Sequence, residues 1–271
     1  MKNLIYQYYD GPVLPGTAAS VKCMKEYAER IGAEHLFEQN PMWIKNQGRN
    51  LGSYTPHYGQ FKIVYDKYFD DYDNVLFLDS DIFPVENLEQ SIFDTPVKHL
   101  GICTEPLQPD MRKTVSGPIN HANDEKWAAM IKSVYGKDMP RREDGLLKVY
   151  NSGVVLYTRE GRKQCRKNFV EFEKFCNDVR RSGIHSFYTS DQGYIHAMLE
   201  VAELDWIELD SGWNSYVHYK PETSGDNRPV VDSRTDTTKF VHVQLRAADH
   251  YDYNKLWRIT NLPVDKWELN K

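Results

Sequence analysis

A short apolar run that stops at two carboxylates constrains this chain more than any other feature: Asn74-Val75-Leu76-Phe77-Leu78-Asp79-Ser80-Asp81-Ile82-Phe83-Pro84. Val75 to Leu78 is uninterrupted and polar-flanked, the pattern of a strand buried on both faces of a largely parallel sheet. Such sheets hold ligands at the carboxyl ends of their strands, so Asp79 and Asp81 are expected at a sheet mouth. Residues i and i+2 of an extended segment project to the same side, and the two carboxylates therefore converge. Two anions brought together repel unless a cation offsets them, and a hard divalent ion suits oxygen ligands. The plainer alternative is a loop whose acids serve only solvation or helix capping.

Length and composition narrow the class. With 271 residues and a hydrophobic fraction of 40%, the chain can fill the core of one large α/β domain. It is read as a single domain over 1–271, with an excursion over 105–147 and a mobile loop over 220–236. The net charge of −5 comes from 34 basic and 39 acidic side chains, well mixed along the chain, so no basic face invites nucleic acid. An aromatic share of 13% suits sugar rings and bases, although core packing explains most aromatic residues one by one. Cys23, Cys103, Cys165 and Cys176 show neither metal-ligand pairing nor framework spacing, which fits a reducing compartment. Met1-Lys2-Asn3-Leu4-Ile5-Tyr6 enters a strand pattern at once and no apolar run approaches a membrane span. A soluble, cytoplasmic protein is expected; the oligomeric state is not legible.

In chain order, Leu4 to Tyr8 reads as the first strand and Asp10 to Gly16 as the loop at its end. Thr17 is expected to cap a helix ending at Gly32, and Ala33 to Glu38 forms a second strand. Pro41 to Tyr58 reads as a long polar loop. Phe61, Val64, Tyr65 and Tyr68 make a helical stripe that includes Lys62, by itself an ordinary solvated lysine. Leu88 to Phe93 reads as a short helix, His99 to Thr104 as a strand, and Trp127, Met130, Ile131 and Val134 as one face of a helix.

Val149 to Tyr157 holds two apolar pieces around Asn151-Ser152-Gly153, and a glycine inside a strand pattern marks a bulge or a close backbone approach. From Thr158, one long helix is expected, with Cys165, Phe169, Phe172, Cys176 and Val179 on its core face. Ser190-Asp191-Gln192-Gly193 opens another helix, where Ser190 or Asp191 serves by default as an N-cap. Asp205 to Leu209 and Trp213 to His218 are strand-like. Phe240-Val241-His242-Val243 is an apolar strand carrying one histidine, more often a core residue than a ligand in such a setting.

Taken in order, these segments resemble the GT-A glycosyltransferases, most closely the glycogenin-like, galactosyltransferase-related family 8. The resemblance spans roughly Leu4 to Trp257. It rests on the strand ending in Asp79-Ser80-Asp81, the preceding helix with Lys62, Tyr150-Asn151-Ser152-Gly153, Asp191-Gln192, and Val241-His242-Val243. It implies an α/β GT-A fold, Rossmann-like, with a mixed, mostly parallel central sheet flanked by helices.

It implies roles as well. Asp79, Asp81 and His242 would hold Mn²⁺ or Mg²⁺, bridging the phosphates of a nucleotide-sugar donor, with a UDP-sugar the expected one. Lys62, Ser80, Ser152 and Gly153 would contact the donor, Gln7, Tyr8 and Tyr9 its nucleoside, and Asn151, Asp191 and Gln192 the sugar at the reacting centre. The family's glycine and Lys-Pro-Trp after the histidine are replaced here by Gln244-Leu245-Arg246-Ala247-Ala248-Asp249-His250. Arg246, bidentate toward phosphate, is the candidate substitute, and His250 a second candidate ligand.

The implied reaction transfers a hexose to an acceptor hydroxyl with retention; were it inverting, Asp191 would be the first choice of base. The acceptor, whether glycan, lipid, protein or small molecule, is not legible. A rival reading is a haloacid-dehalogenase-like phosphatase with Asp79 as nucleophile, although such chains usually carry the motif near the N-terminus. A further rival is a nucleotide-sugar-binding module without turnover.

Overall fold

The computed structural model describes residues 1–41, 58–106, 108, 112, 119–218, 231–244 and 253–262. Most of the Pro41 to Tyr58 loop, most of 220–236, Arg246 and His250 lie outside the described residues.

Strict alternation along the central strands builds two cores, one on each side of a single sheet. Leu4, Tyr6, Val75, Phe77, Val155 and Tyr157 belong to one buried cluster, and Ile5, Leu76, Leu78, Val154 and Leu156 to another. The sheet has the order β2-β1-β3-β6-β5-β7, formed by β1 (Asn3–Tyr9), β2 (Glu34–Gln39), β3 (Asn74–Leu78), β5 (Leu100–Thr104), β6 (Tyr150–Thr158) and β7 (Trp206–Glu208). β1 runs parallel to β2 and β3, and β5 to β7; β6 runs antiparallel to both its neighbours. A smaller sheet of order β4-β10-β8-β9 is made by β4 (Ile82–Pro84), β8 (Ser215–His218), β9 (Val231–Asp232) and β10 (Phe240–Gln244). The polypeptide passes from the large sheet to the small one across Asp79, Ser80 and Asp81, so the acidic motif is the junction between them.

Helix α1 (Pro15–Arg30) covers the second cluster with Met24, Tyr27 and Ala28. The short α2 (Lys62–Tyr65), then α3 (His121–Tyr135), α4 (Arg159–Asn168), α5 (Phe172–Arg181) and α6 (Asp191–Val201) cover the first, and α7 (Tyr253–Asn261) packs Leu256 under the small sheet. No helix among the described residues is long and apolar enough to cross a membrane.

Four local expectations are corrected. The helical stripe of Phe61, Val64, Tyr65 and Tyr68 is broken: α2 ends at Tyr65, Asp66 is extended, and Tyr68 lies exposed in a 3₁₀ turn over Lys67–Asp71. Helix α1 starts at Pro15, not after Thr17: proline is preorganised for a first turn, and Thr17 is buried inside the helix. Leu88 to Phe93 is not a helix; only Ile92–Asp94 forms a 3₁₀ turn, after Asn87 in the left-handed region at φ 56°. The long helix after Thr158 is two helices, because the backbone turns extended at Phe169. Helix α6 meets the groups this break exposes, Met198 Sδ accepting from Val170 N–H at 3.3 Å and the Tyr194 hydroxyl donating to the Val170 carbonyl. A pattern of core-facing residues that runs through a tertiary break still looks continuous in sequence.

Candidate metal site and its surroundings

The junction between the sheets brings the acids to the histidine. β10 pairs antiparallel with β4, placing His242 opposite Ile82, and Val243 N–H donates to the Asp81 carbonyl at 2.9 Å. His242 Nε2 lies 3.2 Å from Asp81 Oδ1 and 3.9 Å from Asp79 Oδ2. One ligand atom from each of the three residues falls within 4.8 Å of the others, the one such trio among the described residues.

Asp79 is pinned through its backbone. Its N–H donates to the Gly153 carbonyl at 2.9 Å, and its carbonyl accepts from Gln7 Nε2 at 3.1 Å. Gln7 is fully buried and also reaches Ser20 Oγ at 3.2 Å.

Behind the histidine runs a chain of amides whose direction is fixed from the backbone outward. Gly153 N–H can only donate, and it donates to Asn151 Oδ1 at 2.9 Å. That oxygen also accepts from Asn214 Nδ2 at 2.9 Å, which turns the Asn214 carbonyl toward His242 Nδ1 at 3.2 Å. The imidazole therefore carries a proton on Nδ1, and its Nε2 is directed at the carboxylates. Tyr216 stacks on the same ring, with centroids 4.6 Å apart, and its hydroxyl accepts from Asn151 Nδ2 at 2.7 Å.

Two carboxylate oxygens and an imidazole nitrogen form a donor set suited to Mn²⁺ or Mg²⁺, and the oriented Nε2 is the feature that makes these residues fit an ion. Replacing Asn214 with the isosteric leucine is expected to leave the imidazole without its outer partner and to weaken Mn²⁺ binding by about 10- to 100-fold. Calorimetric titration of the variant checks this, and undiminished affinity would contradict the assigned tautomer.

The electrostatics point the same way. Burial and then the neighbouring Asp81 push Asp79 up to about 7, with Asp191 adding to the effect and His242 opposing it. Burial alone would lower His242, but the Asp81 carboxylate, its hydrogen bond and Asp79 outweigh that and raise it.

Both shifts make the metal-free protein less stable as pH rises. Ionising Asp79 costs stability up to its raised value, and the stability contributed by charged His242 is lost above its own. A bound divalent ion replaces those protons, so the rise in Tm produced by Mn²⁺ is expected to be small at about pH 5.5 and to grow toward about pH 8. Scanning calorimetry with and without the ion checks this; a gain that is constant or shrinks with pH would sink it.

The other expected site residues divide. Ser152 Oγ donates to Asp191 Oδ2 at 2.9 Å, the Gln60 side-chain amide donates to the same oxygen, and Gln192 Oε1 accepts from Asn151 Nδ2 at 3.0 Å. Asn151, Ser152, Gly153, Asp191 and Gln192 thus form one wall beside the acids. Asp191 is the first residue of α6, but its carboxylate is engaged by Ser152 and Gln60.

The Tyr8 hydroxyl accepts from the backbone N–H groups of Gln60 and Gly59; burial, then Asp191 and Asp79, raises its pKa well above the usual range. Tyr9 ends β1 half-buried, its carbonyl accepting from Asn40 N–H at 2.8 Å, and Ser80 lies half-buried between the acids. Lys62 faces Glu38, with Nζ 2.6 and 2.8 Å from its two oxygens.

Sequence reasoning missed Gln60, Asn214 and Tyr216, and it grouped Gln7 with Tyr8 and Tyr9 as a nucleoside-holding loop, whereas Gln7 lies inside β1 and holds the Asp79 backbone. For Gln7 and Asn214 a signal exists: each is a lone amide among aromatic and apolar residues, and a buried amide must find partners.

No family model matches the sequence, and no curated protein matches it. Solved structures do. A glycosyltransferase involved in the glycosylation of the major capsid of PBCV-1 superposes with a TM-score of 0.54 at 14% identity, over 92% of this chain and 97% of that one. The galactosyltransferase LgtC in complex with donor and acceptor sugar analogs gives 0.52 at 13%, over 97% and 98%. Mouse xyloside xylosyltransferase 1 gives 0.53 at 12%, over 89% and 97%. The chain has the GT-A glycosyltransferase fold over nearly its whole length.

Proposed function

We propose that the protein is a metal-dependent glycosyltransferase of the family 8 type, moving a hexose from a UDP-sugar to an acceptor hydroxyl with retention of configuration. The observation that carries this reading is the Asp79, Asp81 and His242 trio, with an imidazole aimed by a hydrogen-bond chain that starts at Gly153 N–H. These three residues would hold Mn²⁺ or Mg²⁺, which supplies Lewis-acid charge for a departing diphosphate. Asp79 needs such a charge, because the Asp81 carboxylate beside it adds to the effect of burial in raising its proton affinity.

The adjoining wall supplies the sugar side. Asn151 presents its amide between Gln192 and Tyr216, so both amide dipoles are fixed before a substrate arrives. Ser152 and Gln60 hold the Asp191 carboxylate by one oxygen; an anion fixed beside the sugar would stabilise positive charge developing on an anomeric carbon. Tyr8 is placed near enough to feel both Asp79 and Asp191, which suits a wall of the donor pocket. Arg246 is retained as the proposed diphosphate contact, and Lys62 as a donor contact only if it exchanges its Glu38 partner.

The phosphatase reading is not favoured, since an oriented imidazole beside the acid pair suits a shared ion better than an aspartyl nucleophile. Titration of the wild type with UDP, in Mn²⁺ and in chelator, tests the proposal. Binding is expected only with the ion, followed by slow hydrolysis of one UDP-sugar without acceptor. UDP bound equally well in both conditions would overturn the metal-bridged donor site, and donor binding without any hydrolysis or transfer would favour the binding module.

A further inference from the structure

Behind the proposed sugar wall lies a small cavity of about 10 Å³, room for the centre of one water molecule. Arg112, Asp124, Trp127, Tyr188, Gln192 and His196 are among the residues that line it. Three of them carry a buried polar atom that makes no hydrogen bond: Asp124 Oδ2, Trp127 Nε1 and His196 Nε2. The other half of the Asp124 carboxylate is in use, Oδ1 accepting from Arg112 Nη1 at 3.0 Å and from the Tyr188 hydroxyl at 2.7 Å. Arg112 forks onward to Glu105, at 2.7 Å through Nε and 3.0 Å through Nη2.

Buried polar atoms are almost always satisfied; these three belong to residues that line one water-sized cavity, and His121 Nδ1, 3.9 Å from Asp124 Oδ2, is too far to hydrogen-bond it. The occupant must accept from an indole N–H and donate to a carboxylate, which a cation cannot do and an apolar filling would not. Burial, with Arg112 adding, lowers His196 to about 3, so the ring is neutral; water can donate to Nε2 or accept from it, whichever tautomer is present.

We propose that one ordered water occupies this chamber, accepting from Trp127 Nε1 and bonding to Asp124 Oδ2 and His196 Nε2. It joins α3, which carries Asp124 and Trp127, to α6. Gln192 and His196 stand four residues apart on α6 and share a face, so the water and the Glu105–Arg112–Asp124 bridge hold the helix turn that presents Gln192 to Asn151. Asp124, Trp127 and His196 are positioning residues in this scheme. That Gln192 serves a donor sugar rests on the proposed glycosyltransferase reading, whereas the water does not.

A high-resolution crystal structure of the wild type is expected to show one solvent peak within hydrogen-bonding distance of all three atoms, and an empty chamber would overturn the proposal. Trp127→Phe keeps an aromatic ring against His196 and Tyr188 but removes the donor. Amide exchange in the first turns of α6 is expected to accelerate several-fold in this variant, while exchange in the second half of α1, on the opposite face of the sheet, stays as in the wild type. Unchanged exchange in α6 would overturn the positioning role. Neither readout needs turnover, so failure here is distinguishable from failure of the glycosyltransferase reading, which UDP titration reports.

Discussion

Asp81→Asn is expected to lower UDP-sugar turnover by about three orders of magnitude, equivalent to about 4 kcal/mol of transition-state stabilisation, and to abolish Mn²⁺-dependent UDP binding. The substitution preserves shape and removes an anionic ligand, so the effect isolates charge. Asp81 lies nearer to His242 Nε2 than Asp79 does, at 3.2 Å against 3.9 Å, and its backbone carbonyl is tied to β10 through Val243 N–H. That backbone tie survives the substitution, and the fold should survive with it. Without Asp81 the like-charge contribution that helps push Asp79 up to about 7 also disappears.

The metal-free variant is therefore expected to keep a Tm close to that of the wild type, while the Mn²⁺-induced rise is lost. Steady-state kinetics and scanning calorimetry on the same preparations separate the two effects. Turnover within tenfold of wild type, on the order of 1.4 kcal/mol, would remove Asp81 from the metal site.

What the sequence reveals and what it hides follow from the range of the forces involved. Val75 to Leu78 announces a strand buried on both faces because its neighbours are local, and the structure splits those residues alternately between the two cores. Gly153 announces a close approach because a side chain is missing where the strand pattern wants one. His242 could not be distinguished from a core histidine by its own segment; only the antiparallel pairing of β10 with β4 brings it to Asp81. Asn214 is harder still, since its role is to orient another residue's ring across the small sheet. The break at Phe169 is filled by Met198 and Tyr194 from a helix later in the chain, and no local pattern encodes a partner that distant. Lys62 shows the reverse: its place in the motif order is local, but Glu38, which holds it, comes from β2.

Gly153→Ala is the most economical test of the whole construction, because it adds one methyl group and should disable the site while sparing the fold. A Cβ at this position would lie 2.8 Å from His242 Cε1, 2.9 Å from Asn151 Oδ1 and 2.9 Å from Asp79 Oδ2. All three atoms are in side chains, so the crowding is relieved by moving side chains rather than strands. The atoms that must move are those of two proposed ion ligands and of the amide that fixes the Asn214 orientation. Displacing Asn151 Oδ1 also disturbs its bond from Gly153 N–H, the backbone origin of the orienting chain.

Overpacking of this kind costs about 1–3 kcal/mol of stability, which a domain of this size should tolerate while remaining folded. Misplacing ligands by a fraction of an ångström is expected to lower turnover by about 100-fold and Mn²⁺ affinity by at least about 10-fold. Titration calorimetry, initial rates and urea unfolding of the one variant give the three numbers. A variant that binds Mn²⁺ as the wild type does would show that Asp79 and His242 do not share an ion across Gly153, and the proposed metal centre would fall with it.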